Sequence, residues 1–216
     1  MVVTGRKEAG KLLNQVAVRG LSKAYRRRIL FKDISLIIPD RSVFVLLGPN
    51  GAGKTTFLRI ICGLIPATSG QIEIIINGQV LSPREKRTQI GLVSPDLALY
   101  GELSAVENLE FFAEVRGIPF SLARARELLH FVGLQGREHD LLDTYSSGMK
   151  QRMKYACALL HQPHILILDE PTTNLDESGV ALVDKIIKQQ KQQGIVIIAT
   201  NEPREVAYGD QTFTLA

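Results

Sequence analysis

Apolar residues along this chain fall into short blocks, and their spacing changes character in the middle. "VAVRGLSKAY" (16–25) alternates apolar and polar positions, the pattern of a strand with one buried face. "ISLII" (34–38) reads as a second strand, ended by Pro39-Asp40. "SVFVLL" (42–47) is a compact apolar run that enters a glycine-rich turn, and "TTFLRIIC" after it has helical spacing and stops at Gly63. "QIEIIING" and "IGLV" (90–93) predict two further strands. From about 96 to 161 the period becomes helical. "SAVENLEFFAEVRG" opens on the capping-box pair Ser104 and Glu107, and "SLARARELLHFVG" sets Leu122, Ala125, Leu128, Leu129 and Val132 on one face. Strands return with "ILIL" (165–168), then a helix over about 177–193 and "IVIIAT" (195–200), with a last strand expected in "TFTLA".

This pattern predicts an α/β sheet core with an inserted helical subdomain at about 96–161. Residues 1–14 read as a basic, loosely ordered lead-in, and 15–216 as the domain. A chain of 216 residues can bury a sizeable core, and its 45% hydrophobic and 22% charged residues are ordinary for a globular protein. A net charge of +4 favours anionic ligands without demanding nucleic acid. Cys62 and Cys157 lie far apart, outside any CxxC or Cys/His cluster, so buried free thiols in a reducing cytosol are expected rather than a metal site. No apolar run approaches the ~18 residues that span a bilayer. The N-terminus lacks the apolar core of a signal peptide, so a membrane role is expected only through a partner.

Two stretches carry chemistry. "GPNGAGKTT" fits G-x-x-x-x-G-K-[ST] between a strand and a helix, with Gly48, Pro49, Asn50, Gly51, Ala52, Gly53, Lys54, Thr55 and Thr56 as candidate nucleotide contacts. Glycines let successive N–H groups turn inward around phosphate oxygens, and the following helix adds the positive end of its dipole. Lys54 can reach the β- and γ-phosphates, and the Thr55 hydroxyl can ligate Mg²⁺. "ILILDEP" places Asp169 and Glu170 at a strand end. Asp169 can hold Mg²⁺ directly or through water, and Glu170 can orient or deprotonate an attacking water. On its own, such a pair could equally be an ordinary strand exit with solvated acids. No Asn-Lys-x-Asp segment for guanine is present, which disfavours a GTPase.

"YSSGMKQR" (145–152), together with the phosphate loop, "ILILDEP" and "TTNLD" in this order, resembles the nucleotide-binding subunit of an ABC transporter over about residues 15–216. The resemblance implies a P-loop NTPase core with a mainly parallel sheet, an antiparallel β subdomain and the helical insertion. It implies ATP and Mg²⁺ as ligands, and a second ATP-binding subunit packed head to tail with two ATP molecules between them. Ser146, Ser147, Gly148 and Met149 would form the signature that faces the neighbour's phosphate loop. The usual Leu-Ser-Gly-Gly-Gln departs here at Tyr145, Ser147 and Met149, while Ser146 and Gly148 are retained. Tyr25 matches the aromatic that stacks on adenine, or is a half-buried strand aromatic. Asp176 matches the acid that communicates across the dimer, and also suits a helix cap. Arg26-Arg27-Arg28 reads as a solvated turn rather than a nucleic-acid patch. A transmembrane permease would dock on the helical subdomain and hold the chain at the inner face of the cell membrane.

Two positions depart further from the family. Pro95 stands where a Gln usually contacts the Mg²⁺ site, with Asp96 beside it, and Asn201 stands where a His usually touches the γ-phosphate. Asn can hydrogen-bond phosphate but cannot carry positive charge or shuttle a proton. ATP binding and dimer closure with slow hydrolysis are therefore expected. The chain ends soon after "IIATNEPREV", so a compact form without a C-terminal regulatory domain is expected, similar to heme exporters of cytochrome c maturation and related small exporters. Two rival functions are a soluble ABC-type ATPase acting on a protein or nucleic-acid assembly and a nucleotide switch without turnover.

Overall fold

Continuous apolar runs have nowhere to go but a sheet covered on both faces, and four of the runs become strands of one parallel sheet. A computed structural model describes residues 14–26 and 28–215. Its parallel sheet joins β3 (Val43–Leu47), β6 (Ile90–Val93), β7 (Ile165–Asp169), β8 (Ile195–Thr200) and β9 (Gln211–Thr214) in the order β6-β7-β8-β3-β9. Every residue of β7 and β8 is buried. The alternating segments form an antiparallel sheet instead. It is built from β1 (Gln15–Tyr25), β2 (Arg28–Pro39), β4 (Ser69–Ile76) and β5 (Gln79–Val80), in the order β2-β1-β4-β5.

The register of the parallel sheet positions the site. Leu47 of β3 pairs with Thr200 of β8, and Asp169 of β7 pairs with Ala199. The residues that leave these three strands therefore emerge side by side, at the carboxyl edge where α/β sheets bind ligands.

Helices cover both faces. α1 (Lys54–Ile61) packs Phe57, Leu58 and Ile61 into a core shared with the antiparallel sheet. Between β6 and β7 come α3 (Ala105–Arg116), α4 (Leu122–Phe131) and α5 (Ser147–Leu159), packed around Leu109, Leu129 and Tyr155. α6 (Glu177–Gln193) covers the same face of the parallel sheet. The Ser104–Glu107 capping box starts α3 as its sequence predicts. Gly91 in β6 admits the close approach of α5, since a Cβ there would lie 2.4 Å from the Ala158 carbonyl oxygen.

Several expectations need correction. β2 starts at Arg28 rather than at residue 34, because Phe31 reaches the core and extends the pairing with β1. Leu122 is 40% exposed and does not join the buried face of α4, since it is the first helical residue, where the helix enters from solvent. α2 (Pro83–Gln89) and α7 (Pro203–Val206) lie in stretches with no apolar periodicity. α2 buries no residue and is held at its start by a Ser82–Glu85 capping box with Pro83 in the first turn. The lead-in expected over 1–14 lies outside the described residues apart from Asn14, whose side chain bonds Asp40 and the Asn77 N–H. Arg27 also lies outside them.

Candidate functional site

The loop between β3 and α1 turns on glycines in the left-handed region, Gly51 at φ 82° and Gly53 at φ 100°. Gly53 is the N-cap of α1, and its carbonyl accepts from the Phe57 N–H at 2.8 Å. The first N–H groups of α1 have no partner within the helix and face the loop. Lys54 is buried, and its Nζ donates to the carbonyls of Gly48 at 2.8 Å and Pro49 at 3.1 Å. Both acceptors belong to the loop itself, so the Lys54 side chain folds back along the Gly48–Gly53 turn. Ala52 closes the turn by donating to Pro49, and Thr56 continues α1 beneath it.

Thr55 Oγ1 donates to Asp169 Oδ2 at 2.7 Å, joining the start of α1 to the end of β7. Asp169 is 3% exposed. Burial raises its carboxyl above the ordinary carboxylate range, against the opposing pull of the Thr55 hydrogen bond. A hydroxyl and a carboxylate this close are hard oxygen donors that fit Mg²⁺, which takes one or two protein ligands and fills its octahedron with phosphate oxygens and water. Glu170 follows at φ 52°, a left-handed backbone for a residue with a side chain, and its N–H donates to the Ala199 carbonyl at 2.9 Å. Such conformations persist only where the surroundings enforce them.

Asn201 leaves β8 beside this group. Its Nδ2 donates to Asn50 Oδ1 at 3.1 Å, so the side chain at the departing position faces the loop. Arg28 Nη2 lies 3.4 Å from the Gly51 carbonyl oxygen. Arg28 pairs with Tyr25 across the β1–β2 turn, and Tyr25 is half-exposed, with Lys23 Nζ 4.6 Å from its ring centre.

Other expected residues lie apart from this cluster. Ser146 is the N-cap of α5, and its Oγ accepts from the Met149 N–H at 3.2 Å. Ser146 and Ser147 are exposed, Gly148 and Met149 half-buried, and among the described residues none of these four hydrogen-bonds the Gly48–Thr56 loop. Tyr145 is buried and donates its hydroxyl to the Arg137 carbonyl at 2.6 Å, so it fills core space at the position where the family has Leu. Asp176 caps α6 by accepting from the Gly179 N–H at 2.8 Å. That bond, then Ser178 and Arg152, holds its carboxyl below the usual range. The Pro95 carbonyl accepts from Lys154 Nζ of α5 at 2.7 Å. Asp96 pairs with Arg59 of α1 rather than facing Thr55.

The structure also presents residues the sequence did not single out. Asn108 is fully buried and makes four bonds that shape the 100–104 loop. Glu205 and Arg204 of α7 and Tyr155 of α5 all reach the Pro171–Thr172 backbone or side chain. A lone acid or amide in a polar stretch gives no signal for this in the sequence.

A parallel sheet with a glycine-rich loop at its carboxyl edge, a hydroxyl–carboxylate pair and a helical insertion define a P-loop nucleotide triphosphatase domain. Residues 31–173 match the ABC transporter family. The chain is 38% identical over 190 residues to the linearmycin resistance ATP-binding protein of Bacillus subtilis, covering 86% of this chain and 60% of that one. It is 36% identical over 184 residues to the lantibiotic transport ATP-binding protein of Streptococcus pyogenes, covering 85% and 78%. A solved ATP-binding subunit of an ABC transporter superposes with a TM-score of 0.81 at 30% identity, over 93% of this chain and 85% of that one. The chain belongs to the ABC transporter family, and it spans about 60% of the length of the linearmycin resistance relative it matches. Among its described residues no helix is long and apolar enough to cross a membrane.

Proposed function

We propose that this chain binds and hydrolyses ATP to drive a membrane exporter, paired head to tail with a second ATP-binding subunit and docked on a transmembrane permease through its helical subdomain at about 96–161. The observation that carries the reading is the 2.7 Å Thr55–Asp169 bond with Glu170 next in the chain. Bound there, Mg²⁺ would neutralise charge on the phosphates. Lys54 and the α1 N–H groups hold the phosphate oxygens. Glu170 orients the attacking water and takes its proton. Asn201 hydrogen-bonds a phosphate oxygen, and Tyr25 stacks on the base. In the neighbouring subunit, Ser146, Ser147, Gly148 and Met149 at the start of α5 complete the anion cradle, and Asp176 links the two sites across the interface. The chain works at the inner face of the membrane through its permease. Relatives named for linearmycin resistance and for lantibiotic and bacitracin transport support a transporter that handles such compounds rather than heme.

Turnover is slow in this reading, since Asn201 lacks the charge of His and Pro95 lacks a polar side chain. These same two residues favour a second reading, a nucleotide switch without turnover. Phosphate release by the wild type, with Glu170→Gln as the zero, separates the two. Release above that zero supports the ATPase. Release equal to it, with Mg-ATP binding intact, supports the switch.

A further inference from the structure

Pro171 and Thr172 directly follow Glu170, and side chains from two other elements grip them. Tyr155 of α5, fully buried, donates its hydroxyl to the Pro171 carbonyl at 2.8 Å. Glu205 of α7, 1% exposed, accepts through Oε1 from the Thr172 N–H at 3.1 Å and from the Thr172 hydroxyl. Arg204 Nη2 donates to the same hydroxyl oxygen at 2.8 Å. The second carboxylate oxygen, Oε2, is buried without a partner. A buried carboxylate with an idle oxygen is costly, and an apolar residue could fill the space at lower cost. The placement therefore points to a task beyond packing.

The geometry indicates that task. Glu170 has a left-handed backbone, with its N–H donating to Ala199 of β8 at 2.9 Å and its carbonyl accepting from the Thr173 N–H at 3.3 Å. Two residues beyond it, Thr172 is held by Glu205, which follows Asn201 on the chain that leaves β8. The exit of β7 and the exit of β8 are thus fastened to each other at two successive points. Glu170 lies on one and Asn201 on the other.

We infer that Glu205 is a positioning residue for hydrolysis, which fixes the Glu170 carboxylate relative to Asn201 by holding Thr172. The inference rests on the reading of this chain as an ATPase. Glu205→Ala removes both contacts that Glu205 makes to Thr172 and leaves only Arg204 Nη2 on the Thr172 hydroxyl oxygen. Glu205→Gln keeps an acceptor for Thr172, while it replaces the unpartnered oxygen with an amide NH2 and removes the acid. Glu205→Ala is expected to lower kcat by about tenfold to a hundredfold with KM for ATP unchanged, the signature of a misplaced reacting group rather than lost binding. Glu205→Gln is expected to restore kcat to near the wild type. The Glu170 amide bonds Ala199 and not Glu205, so its hydrogen exchange, read by NMR, reports on Glu170 itself. It should quicken in Glu205→Ala and return to the wild-type rate in Glu205→Gln.

An unchanged kcat, or an unchanged Glu170 exchange rate, in a folded Glu205→Ala overturns the inference. So does a loss of kcat/KM that lies wholly in KM. If the wild type releases no more phosphate than Glu170→Gln, the ATPase reading fails separately, and Glu170 exchange alone decides whether Glu205 positions it. If Glu205→Ala loses its cooperative thermal transition, Thr172→Val takes its place. That variant removes only the hydroxyl and is expected to move kcat and exchange in the same direction.

Discussion

Asn201 and Asn50 meet side chain to side chain at 3.1 Å, which places an amide where the family usually has an imidazole. An amide orients a phosphate oxygen but adds no charge to the transition state. Asn201→His is expected to raise kcat about tenfold while leaving nucleotide affinity nearly unchanged. An unchanged rate in steady-state phosphate release would mean that the loss of the His is not what limits turnover. Asp169 carries a second consequence. Burial raises its carboxyl pKa, so the folded chain holds that proton more tightly than the unfolded chain does. The stability this gives the protonated form is present at low pH and lost as pH rises through the folded pKa. Asp169→Asn should therefore raise the Tm of the nucleotide-free chain at pH 8 and lose that advantage on acidification, while abolishing Mg-dependent hydrolysis. Thermal melts across pH check both signs. Lys54, Thr55, Asp169 and Glu170 were legible because their chemistry is written as fixed spacing. Thr172 and Glu205 were not, because a Glu within "NEPREV" reads as a solvated turn acid until α7 folds it under the sheet edge.

The elements that flank the site differ in how firmly they are placed. β6 leads directly to Pro95 and packs on α5 through Gly91. Gly91→Ala would drive a Cβ to 2.4 Å from the Ala158 carbonyl oxygen and 2.8 Å from Pro163 Cγ, and is expected to cost roughly 1–3 kcal/mol in urea unfolding. His161, just past α5, contacts the Ile90 carbonyl of the same strand at 3.1 Å. Burial first, then Arg116, pushes its pKa down to about 4 from 6.5. Below 6.5 the unfolded chain takes up a proton that the folded chain refuses, so stability present at neutral pH falls toward pH 4 by roughly 2–3 kcal/mol. His161→Gln, which keeps a donor for Ile90, should flatten that loss when urea midpoints at pH 7 and pH 4.5 are compared. β6 and α5 were visible in the sequence as an apolar run and a capped helix. α2 and β5 were not, because neither buries a residue and hydrophobic period is then silent.

At the scale of the whole molecule, the strand order β6-β7-β8-β3-β9 gathers the Gly48–Thr56 loop, Asp169, Glu170 and Asn201 on one edge, and α5 presents Ser146 and Ser147 elsewhere on the surface. One chain therefore holds two halves that do not meet, and the proposal that they meet between subunits accounts for both. The fold class was legible from the switch of period and the glycine-rich loop, while the pairing entered only through family resemblance, since spacing within one chain carries no information about a second. Mixing two damaged chains tests the pairing and the chemistry together. Lys54→Ala disables the loop, and Gly148→Asp places a carboxylate in the anion cradle at the start of α5. Each alone should release no phosphate above the Glu170→Gln zero. An equal mixture rebuilds one intact site in each mixed dimer and should recover about a quarter of the wild-type rate, given random pairing. A mixture that stays at the zero while wild-type protein turns over would contradict the head-to-tail site.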